Sequence, residues 1–528
     1  MNTSRGRWWA LGALALAMLT IGLDGTVLSV ATPTMAGSLH ASIDQLQWFS
    51  TAYTLVLAGV LLPAGMLGDR FGRKRFLLAA LALFGAASAW SAYATSPGEL
   101  IAARSLLGLG AAFLMPLSMA VLPVLFPDPG ERSRAIMIWV TSTAIGLPLG
   151  PILGGYLLGH FWWGSVFLIN LPLVVVGLVA VAVLVPESRS EQRRRPDLLG
   201  VLLSGAGLTG LTYGFIAAGQ HGWGATAAWL PIAVGVVLLV WFVLWQRRTD
   251  HALVELSLFG NADFRQGLLL SLLVNFSMMG LFFVLPQYFQ EVLGADTLGT
   301  GLRLLPMIGG LLVGTRLAAK AERRAERSIA GPQRGTSAGP RRAIGTASAV
   351  GNRVILVGGF GVLAASAAAG AFTSPTDGYG WCAIWLSALG IGLGLVMPTA
   401  MAIATGTLSA ERSGAGSALL QAVRQAAGTI GVAVLGTLLS ATYRHALPAD
   451  LPAGVLQAAQ RNVSTGVAAA REVSAPAVES VRAAFVHGQN VMLLVGAGIA
   501  LIGVIVALRY RPAAPDVPRE LAPAASEG

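Results

Sequence analysis

Residues 8–30 read WWALGALALAMLTIGLDGTVLSV, a run of apolar and small residues interrupted by a single charge, Asp24. At ~1.5 Å per helical residue, a run of this length crosses a hydrocarbon core of ~30 Å. Arg5 and Arg7 precede it, as in a secretion signal. The run is nevertheless too long for a signal core, and no small-residue cleavage site precedes the next polar segment, so it reads as a retained span. Similar runs recur to the end of the chain, whose 528 residues are 55% hydrophobic and 11% charged. So few charges would not cover a soluble protein of this length. Because lipid offers no partner to an open backbone, each run is expected to be a helix.

Fourteen spans are expected, at about 8–30, 46–67, 76–94, 99–124, 135–158, 163–185, 198–218, 228–246, 265–289, 299–318, 353–372, 381–405, 414–440 and 487–508. Charge tests this count. With the N-terminal side taken as inside, the inner segments carry 28 Lys and Arg and the outer segments 5, while Arg104 and Arg424 fall within spans. That asymmetry fits the positive-inside rule, so both termini are expected in the cytoplasm. It also explains the net charge of +11 without nucleic acid. Lys74 and Lys320 are the only lysines, and this arginine usage together with 66 glycines points to a GC-rich bacterial gene. The lone Cys382 permits neither an internal disulfide nor a cysteine metal cage, and the scattered histidines form no ligand cluster, so no metal site is expected. Residues 319–352, rich in Arg, Gly, Ser and Pro, read as a disordered cytoplasmic loop. Residues 441–486 read as an outer loop with Ala-rich helical stretches, a small external cap.

The chain repeats itself. GLGAAFLMPLSMA from Gly108 matches GIGLGLVMPTAMA from Gly390 at an offset of 282 residues, and Glu131-Arg132-Ser133 matches Glu411-Arg412-Ser413 at 280. Spans four and five thus correspond to twelve and thirteen, the offset produced by two six-helix units around a two-helix insert. Parallel repeats of this kind place a substrate site between the halves. The expected division is a bundle at 1–190, an insert at 191–250, and a second bundle at 251–528.

Gly65-Met66-Leu67-Gly68-Asp69-Arg70-Phe71-Gly72-Arg73-Lys74-Arg75 resembles the signature loop of the major facilitator superfamily. The resemblance implies a cytoplasmic gate made by Gly65, Asp69, Arg70, Gly72, Arg73 and Lys74, with the acid facing a helix N-terminus and nearby basic groups, a breakable charge relay. Gly146, Gly150, Pro151, Gly154 and Gly155 resemble the fifth-helix motif of exporters in that superfamily; glycines four apart also allow close backbone packing. Asp24-Gly25-Thr26 through Pro33, Phe161 through Pro172, Asp197 through Gly200, and Leu285 through Gln290 resemble the fourteen-helix drug/proton antiporters of the QacA/EmrB type. The departures are the long loop at 319–352 and Trp163, where arginine is commoner. The implied fold is an all-α membrane protein of the major facilitator type, two pseudo-symmetric parallel six-helix bundles flanking two helices.

Of the 24 acidic residues, Asp24 alone lies well inside a span. A charge there is a functional candidate by default. Counting along the helices places Asp24 and Arg104 at similar depth, ~9–10 Å from the outer edge. Burial favours the neutral form of the acid and a guanidinium favours its charged form, so Asp24 is expected to carry the proton and Arg104 to tune it. A static ion pair is the competing reading. Arg424, beside Gln421 and Gln425, is a candidate for gating or packing near the cytoplasmic side. Met278, Phe282 and Tyr288 are candidates for a pliable hydrophobic substrate cavity, although such residues also serve plain packing.

The expected function is proton-driven export of amphipathic small molecules, lipophilic and cationic or neutral, across the inner membrane of a bacterium. It would be carried out by a monomeric secondary transporter that needs no cofactor beyond the proton gradient. A dedicated exporter of an endogenous metabolite or antibiotic shares every motif. A polytopic membrane enzyme would want clustered His, Asp or Glu at one face, which the sequence lacks, and no phosphate-binding GxxxxGK[ST] loop supports a nucleotide-driven pump.

Overall fold

Long runs of Leu, Ala and Val with few charges leave the backbone no partner but itself, and all the regular structure in a computed structural model of the chain is helical among the described residues. The structure describes residues 4–189, 197–249, 252–254, 256–329, 340–406 and 413–510. The first bundle comprises α1 (Ser4–Ser38), α2 (Ile43–Phe71), α3 (Arg73–Ala92), α4 (Pro97–Leu125) and α5 (Pro129–His160), with a sixth span broken into α6 (Ser165–Leu168) and α7 (Asn170–Leu184). Next come α8 (Leu198–His221) and α9 (Thr226–Gln246). The second bundle opens with α10 (Ala262–Gln287), continued by a π-helical turn at Tyr288–Val292. It proceeds through α11 (Thr297–Arg303) and α12 (Leu305–Ile329) as one span, then α13 (Pro340–Gly370), α14 (Tyr379–Gly406) and α15 (Ser413–Ala446). Short outer helices α16 (Ala453–Arg461) and α17 (Val463–Arg471) lead into α18 (Ala475–Leu508).

Among the described residues, 13 helical stretches are long and apolar enough to cross a membrane. The 32-residue α5 makes the fourteenth span. Helix starts follow local chemistry: Ser96 accepts from the Glu99 amide ahead of Pro97, and Asp128 accepts from the Glu131 amide.

Packing repeats between the halves. In the first bundle α1 packs on α5 and α7, α4 on α2 and α3, and α3 on α7. In the second, α10 packs on α15 and α18, α14 on α12 and α13, and α13 on α18. The matched glycines do matching work. A Cβ at Gly108 would strike the Tyr53 carbonyl of α2, and one at Gly390 would strike the Met307 carbonyl of α12. One at Gly110 would meet Ala80 and Phe84 of α3, and one at Gly392 would meet Gly359 and Leu363 of α13. The repeated sequence is therefore a repeated set of backbone approaches.

The insert lies along the seam between bundles. α9 packs chiefly on α8, and α8 reaches both α2 and α15; Thr437 Oγ1 donates to the Phe215 carbonyl at 2.7 Å. Asp197 at the head of α8 is buried, accepting from Gly200 N (2.8 Å), Trp245 Nε1 (2.9 Å) and Gln246 Nε2 (2.6 Å), which ties together the inner ends of α8 and α9.

The expected disordered loop at 319–352 is corrected. α12 continues to Ile329 and α13 begins at Pro340, because LAAKAERRAERSI is built of strong helix formers; only 330–339 lies outside the described residues. Between α15 and α18, the segment expected as a loop at 441–486 holds the short helices α16 and α17. Asn462 anchors it by donating to the Ala41 carbonyl at 2.6 Å.

Candidate functional site

Asp24 and Arg104 meet. Arg104 Nη1 donates to Asp24 Oδ2 at 2.6 Å, and the arginine and aspartate side chains are 2% and 0% exposed. The rest of the guanidinium is accounted for by Nε donating to the Phe49 carbonyl at 3.2 Å and by the faces of Tyr53 (4.6 Å) and Phe167 (5.9 Å). Asn170, at the start of α7, donates to Asp24 Oδ1 (3.4 Å) and to Ser88 Oγ (3.2 Å). The pair is thus enclosed by residues from six helices, α1, α2, α3, α4, α6 and α7. A buried pair of this geometry is strongly favoured only while both partners are charged. Neutralising either partner leaves the other charge buried without compensation.

The glycines of α5 lie directly behind this acid. A Cβ at Gly146 would meet the Leu19 carbonyl at 2.7 Å and Gly22 Cα at 2.9 Å. One at Gly150 would strike Thr26 Oγ1 and stand 3.0 Å from the Leu23 carbonyl, and one at Gly154 would meet Val27 Cγ2 at 2.7 Å. Residues 19–27 of α1, the turns carrying Asp24, therefore lie in a groove that no side chain fills. Gly155 and Pro151 face the other bundle: a Cβ at Gly155 would meet the Thr297 carbonyl at 2.6 Å, and one at Gly301 would strike the Pro151 carbonyl. Thr297 Oγ1 donates to the Gly155 carbonyl at 3.1 Å. Gln290, in the π-helical turn, closes the same outer side by donating to the Val30 carbonyl of α1 at 2.9 Å.

At the turn between α2 and α3, Arg73 Nε donates to Asp69 Oδ1 (2.7 Å), and Arg73 Nη1 donates to the Ala120 carbonyl of α4 (3.0 Å). Lys74 Nζ donates to the Ala182 carbonyl of α7 (2.6 Å), and Arg70 lies over the Phe71 ring at 5.2 Å. Gly65 rests in ordinary contact with Pro116. Gly72 has φ 125°, a conformation glycine adopts freely, and a Cβ there would also meet the Glu187 carboxylate at 2.8 Å. Glu187 is the acid at a helix N-terminus: it accepts from the Lys74 amide at 3.1 Å and pairs with Arg75 at 3.6 Å. Asp69, the acid expected there, instead pairs with Arg73 four residues along its own chain. All these contacts lie within the first bundle; the side chains at the start of α15 lie outside those described.

Met278 lines an apolar cavity inside the second bundle with Leu281, Phe360, Leu393, Leu435 and Met492. Phe282 is half-buried, while Tyr288 is fully buried and receives the Cys382 thiol at 3.6 Å, so the three candidates do not form one wall. Arg424 stands apart, with Nη1 against Met401 Sδ at 3.3 Å. Among the described residues, no group of three or more His, Cys, Asp or Glu could hold a metal.

The model of the Major Facilitator Superfamily matches residues 14–432. The chain belongs to that superfamily. It is a multi-pass membrane protein and a secondary transporter rather than an enzyme. It is 31% identical over 527 residues to the tetracenomycin C resistance and export protein of Streptomyces glaucescens, covering 97% of this chain and 93% of that one. It is 33% identical over 521 residues to the multidrug efflux pump LfrA of Mycolicibacterium smegmatis, covering 95% and 97%. Its fold matches that of a bacterial homolog of the human lysosomal transporter Spinster in an inward-facing conformation, with TM-score 0.63, 17% identity, and coverage of 97% of this chain and 100% of that one.

Asn170, Ser88, Phe49, Tyr53 and Glu187 belong to these sites without being singled out by the sequence. Asn170 and Gln290 stand inside the quoted motifs with no role assigned. An amide in a span needs a partner, and that is the signal the sequence offers for them.

Proposed function

We propose that this chain exports lipophilic small molecules in exchange for protons by alternating access, with Asp24 as the proton carrier and Arg104 as its switch. The observation that carries this is the sealed Asp24–Arg104 pair seated on the glycine face of α5. When Asp24 is charged the pair holds α1 to α4. Proton binding releases Arg104, and α5 transmits the change to its outer contact with α11. The outer contacts of α5 with α11 and of Gln290 with α1 support a state closed to the outside. The division into bundles at 1–190 and 251–528 around an insert at 191–250 is part of this reading, as are cytoplasmic termini, the inner membrane of a bacterium, the cytoplasmic gate at Gly65–Lys74, a monomer, and the proton gradient as sole energy source.

Lipophilic compounds without a positive charge fit better than cations. Among the described residues, the one acid deep in the interior is already engaged by Arg104, which leaves no free carboxylate to receive a cation. The name of the tetracenomycin relative favours a narrower second reading, a dedicated exporter of one metabolite. Everted membrane vesicles test both, using a panel of fluorescent lipophilic dyes with and without a protonophore. Gradient-dependent movement of several unrelated dyes supports broad efflux, whereas movement of none removes it.

A further inference from the structure

Asp24, Arg104 and Arg424 are charged side chains set within membrane-spanning helices. The first two neutralise each other. Arg424, eleven residues into α15 and so ~16 Å along it, has no carboxylate within ion-pairing distance among the described residues. Its Nε is shielded and without a hydrogen-bond partner, and Nη1 meets only the thioether of Met401, a weak acceptor. Among the described residues, Arg424 is therefore an uncompensated positive charge within a span.

A charge within a span normally faces the bundle interior or a water-filled cavity, and α15 packs on α10 in its own bundle and on α2 in the other. α14 uses Ala400 and Ala404 against α10, Ser387 and Ile391 against α12, and Gly392 and Leu395 against α13. A further face holds Pro398, Met401 and Thr405, with Met401 packed against the apolar cluster of Phe264, Leu268 and Leu419. It is the counterpart, through the repeat, of the face of α4 that holds Pro116 and Met119. α4 and α14 do not pack substantially on each other. Arg424 reaches this face through Met401 and is half-buried, unlike the sealed Arg104. As a static packing link it would need a good partner on another helix, and a sulfur at 3.3 Å is a poor one.

We propose that Arg424 is the docking point for an acidic group of the transported molecule, a carboxylate or ionised phenol on a lipophilic skeleton. This rests on the efflux reading and narrows its substrate class. The planar guanidinium can grip a carboxylate with two parallel hydrogen bonds, and in a low-dielectric cleft an unpaired cation attracts anions and repels cations. Met401 offers a polarizable surface to the apolar part of the same molecule. A neutral compound can still pass, held by apolar contact alone.

One scaffold in three charge states tests this on the full-length protein in lipid nanodiscs: anthraquinone-2-carboxylate, its uncharged carboxamide, and a trimethylammonium derivative, with binding followed by tryptophan quenching. The carboxylate should bind at least tenfold tighter than the amide, and the cation most weakly. Arg424→Gln should bring the carboxylate-to-amide ratio close to one while leaving amide affinity within twofold, and Arg424→Lys should keep part of the ratio. A wild-type protein that binds the carboxylate no better than the amide, including one that binds neither, overturns the proposal without any variant. So does an Arg424→Gln protein that keeps the full ratio. Gradient-driven efflux of the amide is scored separately, so failure of the efflux reading and failure of the charge preference are distinguishable.

Discussion

Replacing Asp24 with Asn removes the charge and keeps the shape, so it isolates the proton. Truncating one partner of a buried ion pair costs ~3–5 kcal/mol, because the other charge is left uncompensated. The amide oxygen introduced by the substitution can still accept from Arg104, and a hydrogen bond to a charged group recovers ~1.5–3 kcal/mol of that. The net destabilisation of the state with the pair closed is then ~1–3 kcal/mol, a factor of roughly 5 to 150 in the equilibrium between the two access states. Purified protein in liposomes should lose gradient-driven transport by ~10-fold or more, since about 1.4 kcal/mol is a factor of ten. Substrate counterflow without a gradient should persist, because exchange needs alternation but no net proton movement. A static strut predicts otherwise: in that case Asp24→Asn combined with Arg104→Gln, which removes both charges, would restore gradient-driven transport. Full gradient-driven efflux by Asp24→Asn, or its rescue in the double variant, refutes the proton-carrier assignment.

Three further outcomes are expected. Gly150→Ala places a methyl on Thr26 Oγ1 and against the Leu23 carbonyl; overpacking of ~1–3 kcal/mol should abolish efflux in cells at near-normal membrane levels, and normal efflux would break the α5–α1 link. Asp69→Asn cuts a partly exposed pair and should change the thermal midpoint by the equivalent of less than ~1 kcal/mol, while turnover falls several-fold; a large loss of stability with unchanged turnover would make this loop an anchor rather than a gate. Gln290→Ala removes the hydrogen bond to the Val30 carbonyl, so a cysteine placed at position 30 should react faster with an impermeant maleimide added from outside, the native Cys382 being buried; an unchanged rate would remove Gln290 from the outer seal.

The spans, the repeat and the paired charges are readable because each follows from an expensive event. Unpaired backbone in lipid forces helices, close helix approach forces glycine, and a charge in lipid demands a partner. Asp24 and Arg104 can therefore be paired by depth alone. Asn170 and Ser88 cannot, since polar uncharged residues are common in spans and nothing in sequence spacing brings α7 and α3 to α1. Glu187 is hidden for another reason: it lies in the polar segment after α7, where acids are ordinary, and only the fold returns it to the head of α3. The loop at 319–352 misleads because its central Gly, Ser and Pro outweigh helix-forming flanks on both sides.

In the antiport proposed above, the position of α5 is what joins proton to substrate. Its 32 residues span ~48 Å, enough to touch the turns of Asp24 with one face and the outer end of the opposite bundle with another. The first contact is close, Gly146 against the α1 backbone at Leu19 and Gly22, and Gly150 and Gly154 against the Thr26 and Val27 side chains. The second is also close, through Gly155, Pro151 and Gly301, and a separation of even one side chain's thickness there opens the outer face. A shift of α5 that parts it from α11 must therefore move along the groove holding residues 19–27, changing how Asp24 sits against Arg104 on α4. The same constraint acts in reverse: protonating Asp24 releases the hold of α4 on α1 and lets α1 follow α5. Exposure of the acid and closure of the outer side are thus set by the displacement of one helix, which is the condition antiport requires.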